Sequence, residues 1–298
     1  MKNIVAISGP KGVGKTSLCK FLHASYERAR KNLVLSSGDK IPESCSLIQY
    51  AETGRTQVLA DIDGVNCSVS LRDSALSGIF SFATKVKNIS VDVLCLDADG
   101  VFGSEKGKNM LTQYLWENLP IWIRWINSPN RCFTSIEDGE SYCFNDIVNE
   151  DAFFNICVNK KLLPSNLRSG FMTNREIMQI LGTDIFRKLF DENIWVNSTI
   201  NEILKSDYEL CLIDDMRFNS EAKSVISNGG YIVILNRTVN FSDVHESERG
   251  ITDVEILEHE RVFHIDPYEN IMDKNRRVCD ILDEIIFKKA TNIVCSSK

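Results

Sequence analysis

The chain has 298 residues, 43% of them apolar and 25% charged, with a formal net charge of −7. That length supports one or two domains with a sizeable core, while the acidic balance argues against a broad nucleic-acid or membrane surface, which would have to be basic. Ten cysteines are scattered from Cys19 to Cys295 with no Cys-x-x-Cys pair, so buried thiols in a reducing cytoplasm are expected rather than disulfides or a metal site.

Residues 3–8, NIVAIS, form a short Val/Ile-rich run of the kind a fully buried parallel strand requires. They lead directly into a glycine loop, so no signal peptide is expected. The loop is followed by KTSLCKFLHASYERA, which places Leu18, Phe21, Leu22 and Tyr26 on one helical face. Residues 56–71 alternate around Asp63-Gly64 and predict a hairpin. Residues 78–89 predict a strand running into a helix. From Asp99 to Gly170 the pattern is irregular and aromatic, with Trp116, Trp122 and Trp125 close together.

Regular patterning returns at 173–190, a helix capped by Thr173 or Asn174 with Ile177, Met178 and Leu181 inward. Residues 194–204 continue as helix. YELCLIDD at 208–215 is a buried strand ending in two carboxylates, and 219–230 is a short helix stopped by glycines. Strands follow at 231–237 and 261–266, and residues 271–289 form an amphipathic closing helix. The longest apolar runs are strand-sized and too short to span a bilayer. Strands alternating with helices imply an α/β fold with a mainly parallel sheet covered on both faces.

Gly9-Pro10-Lys11-Gly12-Val13-Gly14-Lys15-Thr16 fits G-x-x-x-x-G-K-[ST] in full, and Ser17 continues the helix start. Such a loop curls so that its N–H groups point at phosphate oxygens, at a helix N-terminus. Lys15 is expected to reach the β/γ-phosphates and the Thr16 hydroxyl to ligate Mg²⁺. Asp215 at the end of its strand is a candidate to organise that magnesium, and Arg217 to offset charge on a transferring phosphoryl group. Arg175 and Gln179, four apart on one helix, suit a phosphate grip and a base edge; Trp195 suits stacking.

The order REIMQILGTDIFRKLFDENIWVN, then LIDDMRFNSEAKSVISNGGYIVILNR, resembles the deoxynucleoside monophosphate kinases of tailed bacteriophages. The matching positions are Arg175, Gln179, Gly182-Thr183-Asp184, Trp195, Asp215, Arg217, Glu221 and Gly229-Gly230, with His245 and Glu248 as the family's His-x-x-Glu element. More loosely, Lys87, Gly103, Lys108-Asn109 and Trp116-Glu117-Asn118 follow the family pattern, whereas 33–78 and 121–170 do not align with it.

The resemblance implies a P-loop nucleoside-kinase-type three-layer sandwich, one domain over 1–298. It would carry a hairpin-containing insertion at 33–78, an acceptor segment at about 79–200 and a lid at about 237–258. It implies ATP- and Mg²⁺-dependent phosphorylation of deoxynucleoside monophosphates, in a host cytoplasm, for DNA precursor supply. The donor would be held by Gly9, Gly12, Val13, Gly14, Lys15, Thr16 and Ser17. The acceptor would be held by Lys87, Arg175, Gln179, Gly182, Thr183, Asp184, Trp195, His245 and Glu248, with Arg237, Arg249 and Arg187 as lid or clamp cations and Thr16 and Asp215 at the metal. A homodimer is consistent with it; membrane or stable nucleic-acid binding is not expected. Two other readings stay open on the residues: a kinase acting on a modified base in DNA or on a nucleoside, and a P-loop ATPase or switch.

Overall fold

The computed structural model describes residues 2–10, 12–52, 55–143, 150–236, 251–266 and 271–283. The chain divides into two compact units, one formed by Met1–Lys85 with Glu192–Lys298 and the other by Val86–Asp191.

The first unit is built on a five-stranded sheet in the order Val262–Ile265, Tyr231–Leu235, Asn3–Ser8, Leu210–Met216, Ser77–Phe80. All four neighbour pairings are parallel, as the apolar runs predict. Side chains alternate across a strand, and in Asn3–Ser8 both faces are apolar. Val5 and Ile7 pack with Leu18 and Leu22 of the first helix, Lys15–Ala29, and with Val278 and Leu282 of the closing helix. Ile4 and Ala6 pack on the opposite face with Ile200 and Ile203 of the helix Ile194–Lys205 and with Ala222 and Val225 of Asn219–Ser227. Helices therefore cover both sides of a mixed α/β unit.

Residues 33–71 hold more than the predicted hairpin. They form a four-stranded antiparallel sheet in the order Leu33–Leu35, Val65–Leu71, Arg55–Ile62, Ser46–Glu52. The turn falls at Asp63-Gly64, both at positive φ (51° and 84°), the geometry of a two-residue hairpin turn. Leu33, Leu47 and Ala60 pack into the same core as the first helix.

A buried carboxylate ties the first helix to the sheet edge. Glu27 is fully buried. Its Oε1 accepts from the amides of Leu76 (2.9 Å) and Ser77 (2.7 Å) and from Ser77 Oγ (2.7 Å), and its Oε2 accepts from Asn32 Nδ2 (2.7 Å). Four donors make burial of the charge tolerable.

The unit Val86–Asp191 has an aromatic core of Trp116, Trp122, Trp125, Phe133 and Phe153, which explains the clustered tryptophans. Trp125 Nε1 donates to the Cys132 carbonyl at 2.9 Å. Two antiparallel sheets flank this core, Leu162–Ser165 with Cys132–Ser135 and Ser141–Cys143, and Leu111–Leu115 with Phe171–Thr173. Cys132 and Cys143 lie directly opposite each other and are joined in a disulfide, which corrects the expectation of thiols throughout. The spacing of 11 residues carries no motif, because cross-strand register brings the two together. The free cysteines Cys19, Cys45, Cys211 and Cys279 are buried, as expected. Among the described residues no helix is long and apolar enough to cross a membrane.

Glu27→Leu should lower the unfolding free energy by about 3–5 kcal/mol, because it strands several buried donors. Urea unfolding measures this, and a loss below about 1 kcal/mol would refute the role given to Glu27.

Candidate functional site

The first strand ends at Ser8, and the chain turns through Gly9 (φ 140°), Gly12 (φ 78°) and Gly14 (φ 90°) into the helix starting at Lys15. A Cβ on Gly9 would lie 2.5 Å from the Leu235 carbonyl oxygen, so the loop leaves the sheet in backbone contact with the next strand. Gly14 is the left-handed N-cap of the helix and makes no side-chain cap hydrogen bond. Lys15 Nζ donates to the Gly9 carbonyl (2.6 Å) and the Pro10 carbonyl (2.9 Å). Its ammonium therefore sits against the start of the loop. Thr16 is exposed in the first helical turn. Together these form a concentration of N–H groups and positive charge at a helix N-terminus, the arrangement that binds anions.

The strand Leu210–Met216 lies beside the first, with Ser8 opposite Met216, so Asp214, Asp215 and Arg217 leave the sheet at the same end as the glycine loop. Asp215 Oδ2 accepts from Ser81 Oγ (2.5 Å) and the Ala83 amide (3.0 Å), and Oδ1 from the Phe82 amide (2.8 Å). Three donors fill most of the carboxylate's capacity and leave it one further acceptor position. Glu221 Oε2 accepts from the amides of Arg217 (2.6 Å) and Phe218 (3.0 Å), which fixes the backbone from which the exposed Arg217 side chain projects. Trp195 is half-buried in the first turn of its helix.

In Val86–Asp191 the helix Asn174–Gln179 starts with a capping box, Thr173 with Glu176. Thr173, not Asn174, is the cap. Asn174 is buried and donates to the Gly107 carbonyl (3.1 Å), clasping the segment 97–110 to the helix. Arg175 then reaches Asn109 Oδ1 (3.2 Å) and Glu105 Oε2 (2.5 Å). Lys87 lies over the Phe102 ring at 5.6 Å, on the same segment, and Lys108 Nζ is 3.8 Å from Glu105. The structure thus gathers Lys87, Lys108 and Arg175 around 102–109. Gln179 is exposed one turn beyond Arg175.

Gly182, Thr183 and Asp184 lie in a π-helical stretch, Ile180–Arg187, where the sequence predicts a continuous α-helix. Wide turns of this kind occur often at functional positions. Thr183 is exposed, but Asp184 is buried and accepts from Asn127 Nδ2 (3.0 Å) and Lys188 Nζ (2.6 Å). His245, Glu248, Arg237 and Arg249 lie outside the described residues.

With this geometry in view, residues 136–260 match the sequence profile of the family described as deoxynucleotide monophosphate kinase. The chain is also 24% identical over 229 residues to the deoxynucleoside-5′-monophosphate kinase of Escherichia phage T5, covering 70% of this chain and 85% of that protein. The chain is thus similar to the deoxynucleotide monophosphate kinases. The kinase profile takes in the whole Arg175–Gly230 block that carries the resemblance in the sequence. It also begins at 136, so 136–170 has a counterpart in the family where no alignment is apparent by eye.

Several residues of the site carry weak signals in the sequence. Glu176 is readable, since Thr173-x-x-Glu176 is a capping-box pattern. Glu105 and Asn174 are not, because their partners lie far away in the chain.

Asp215→Asn should cost about 1–3 kcal/mol of stability, because an amide cannot accept all three donors of 81–83. Thermal or urea unfolding reads this, and an unchanged midpoint would show that Asp215 does not hold that turn.

Proposed function

We propose that the protein is an ATP- and magnesium-dependent kinase that converts deoxynucleoside 5′-monophosphates to diphosphates, with the first unit folded as a P-loop nucleoside-kinase-type three-layer sandwich. The observation that carries this reading is the glycine loop, with three glycines at positive φ leading into a helix whose first residue is a lysine folded onto the loop. Similarity to a phage deoxynucleoside-5′-monophosphate kinase supports the choice of acceptor.

On this reading the loop amides of Gly12–Ser17 hold the donor's phosphates, and Lys15 exchanges the Gly9 and Pro10 carbonyls for phosphate oxygens. The oxygen donors present fit magnesium. Thr16 offers an exposed hydroxyl and Asp215 its remaining acceptor position, through water. Such an ion takes few protein ligands and completes its shell with phosphate oxygens and water. Magnesium held there would offset negative charge on the donor's phosphates.

Arg175 holds the acceptor phosphate, with Lys87 assisting. Its guanidinium is preset by Glu105 and Asn109, and a dianionic phosphate replaces a single exposed carboxylate as its partner. Gln179 reads the base edge, and Trp195 and Thr183 serve the same acceptor. Arg217 offsets charge on the equatorial oxygens in flight. The attacking group is the acceptor's own phosphate oxygen, anionic at neutral pH, so no general base is assigned; positioning and charge neutralisation supply the rate. His245 and Glu248 are assigned to the acceptor loop and Arg237 and Arg249 to the lid. The setting proposed is the host cytoplasm, supplying DNA precursors.

ADP formation should depend on an added deoxynucleoside monophosphate when each of the four is tried with ATP and Mg²⁺. ADP release that ignores the acceptor would refute the reading. Arg175→Ala should reduce kcat/KM for the acceptor by about 10²–10³-fold while ADP affinity stays within a few-fold, and Lys15→Ala should reduce turnover by at least as much. Equal loss of ADP affinity in Arg175→Ala would remove its acceptor role.

A further inference from the structure

Lys274 is a buried cation set against the glycine loop. It lies in the closing helix Ile271–Leu282, on the face that carries Val278, Ile281 and Leu282 into the core against the first helix. It is only 9% exposed. Its Nζ lies 2.8 Å from where a Cβ on Gly14 would stand, so the ammonium occupies the space that a side chain at this loop position would fill. Its Nζ donates to the Val13 carbonyl at 3.5 Å, a long contact for a group with three donors. Among the described residues no carboxylate forms an ion pair with it.

A buried ammonium without a counter-ion is costly, and an anion that meets it offsets that cost. The loop residues it touches, Val13 and Gly14, form the N-terminal approach to a 15-residue helix with no side-chain cap. We infer that Lys274 is a second phosphate-binding cation of this loop, contacting a phosphate oxygen of the bound nucleoside di- or triphosphate from the side of the closing helix. This rests on the donor-site reading given above.

Lys274 does for the C-terminal helix what Lys15 does for the first, and it ties the docking of that helix to the nucleotide. Burial also pushes the Lys274 ammonium below the usual lysine value. An incoming phosphate would offset that desolvation.

Isothermal titration calorimetry on the full chain tests this, with ADP and inorganic tripolyphosphate as probes and the melting temperature of the ligand-free protein as the folding control. Lys274→Met and Lys274→Gln should each weaken both ligands by about tenfold or more. Their ligand-free melting temperature should stay level or rise, because an unpaired buried charge has been removed. ADP affinity within twofold of the wild type in either folded variant would overturn the assignment. A fall in melting temperature that accompanies the loss of affinity in both variants would also overturn it, since Lys274 would then be structural. Wild type that binds tripolyphosphate but not ADP would exclude a nucleotide as the occupant. Wild type that binds neither would refute the donor site itself, a result distinct from failure of Lys274.

Discussion

Two carboxylates clamp the ends of one short strand, and the arrangement of the first unit depends on them. Glu27 takes the amides of Leu76 and Ser77, Asp215 takes those of Phe82 and Ala83, and Ser77–Phe80 runs between. A four-residue strand at the edge of a parallel sheet has one neighbour only, so its own ladder holds it weakly. Charge-assisted hydrogen bonds from two different elements, the first helix and the neighbouring strand, supply what the ladder lacks. Asp215 is also the residue that stands two before Arg217, beside the strand that opens into the glycine loop. The interaction that secures the sheet edge therefore also fixes the end of the sheet where the candidate chemistry is assembled.

The sequence made the parts with local physics legible. The first strand, the first helix and the Asp63-Gly64 turn fall where their patterning puts them, because each depends on short-range periodicity or on one backbone conformation. The closing helix begins where expected, and Lys274 shares a helical face with Val278 and Leu282, which places a charge on a buried stripe. What the sequence concealed are pairings between distant residues. Glu27 with Ser77, Asn174 with Gly107, Arg175 with Glu105, and Cys132 with Cys143 each depend on register or packing that no local window contains. The irregular stretch 99–170 was opaque for the same reason. The order of its described residues comes from an aromatic core rather than from a repeating pattern.

The proposed function would also reconcile an acidic chain with an anionic ligand. Fixed protein groups orient each cation: Lys15 Nζ donates to the Gly9 and Pro10 carbonyls, Arg175 to Asn109 and Glu105, and Lys274 to the Val13 carbonyl. On the proposed function, cations oriented in this way would meet an incoming phosphate with charge-assisted hydrogen bonds. Cations held this way suit the transfer of a phosphoryl group, a reaction driven by orientation and electrostatics more than by proton transfer.

The central claim is that the phosphoryl group passes from ATP to a deoxynucleoside monophosphate. Following ATP labelled at the γ-phosphate through a single turnover with that acceptor tests it most directly. The account predicts that the label appears in the deoxynucleoside diphosphate. Label recovered only as inorganic phosphate, with the acceptor unchanged, would contradict it.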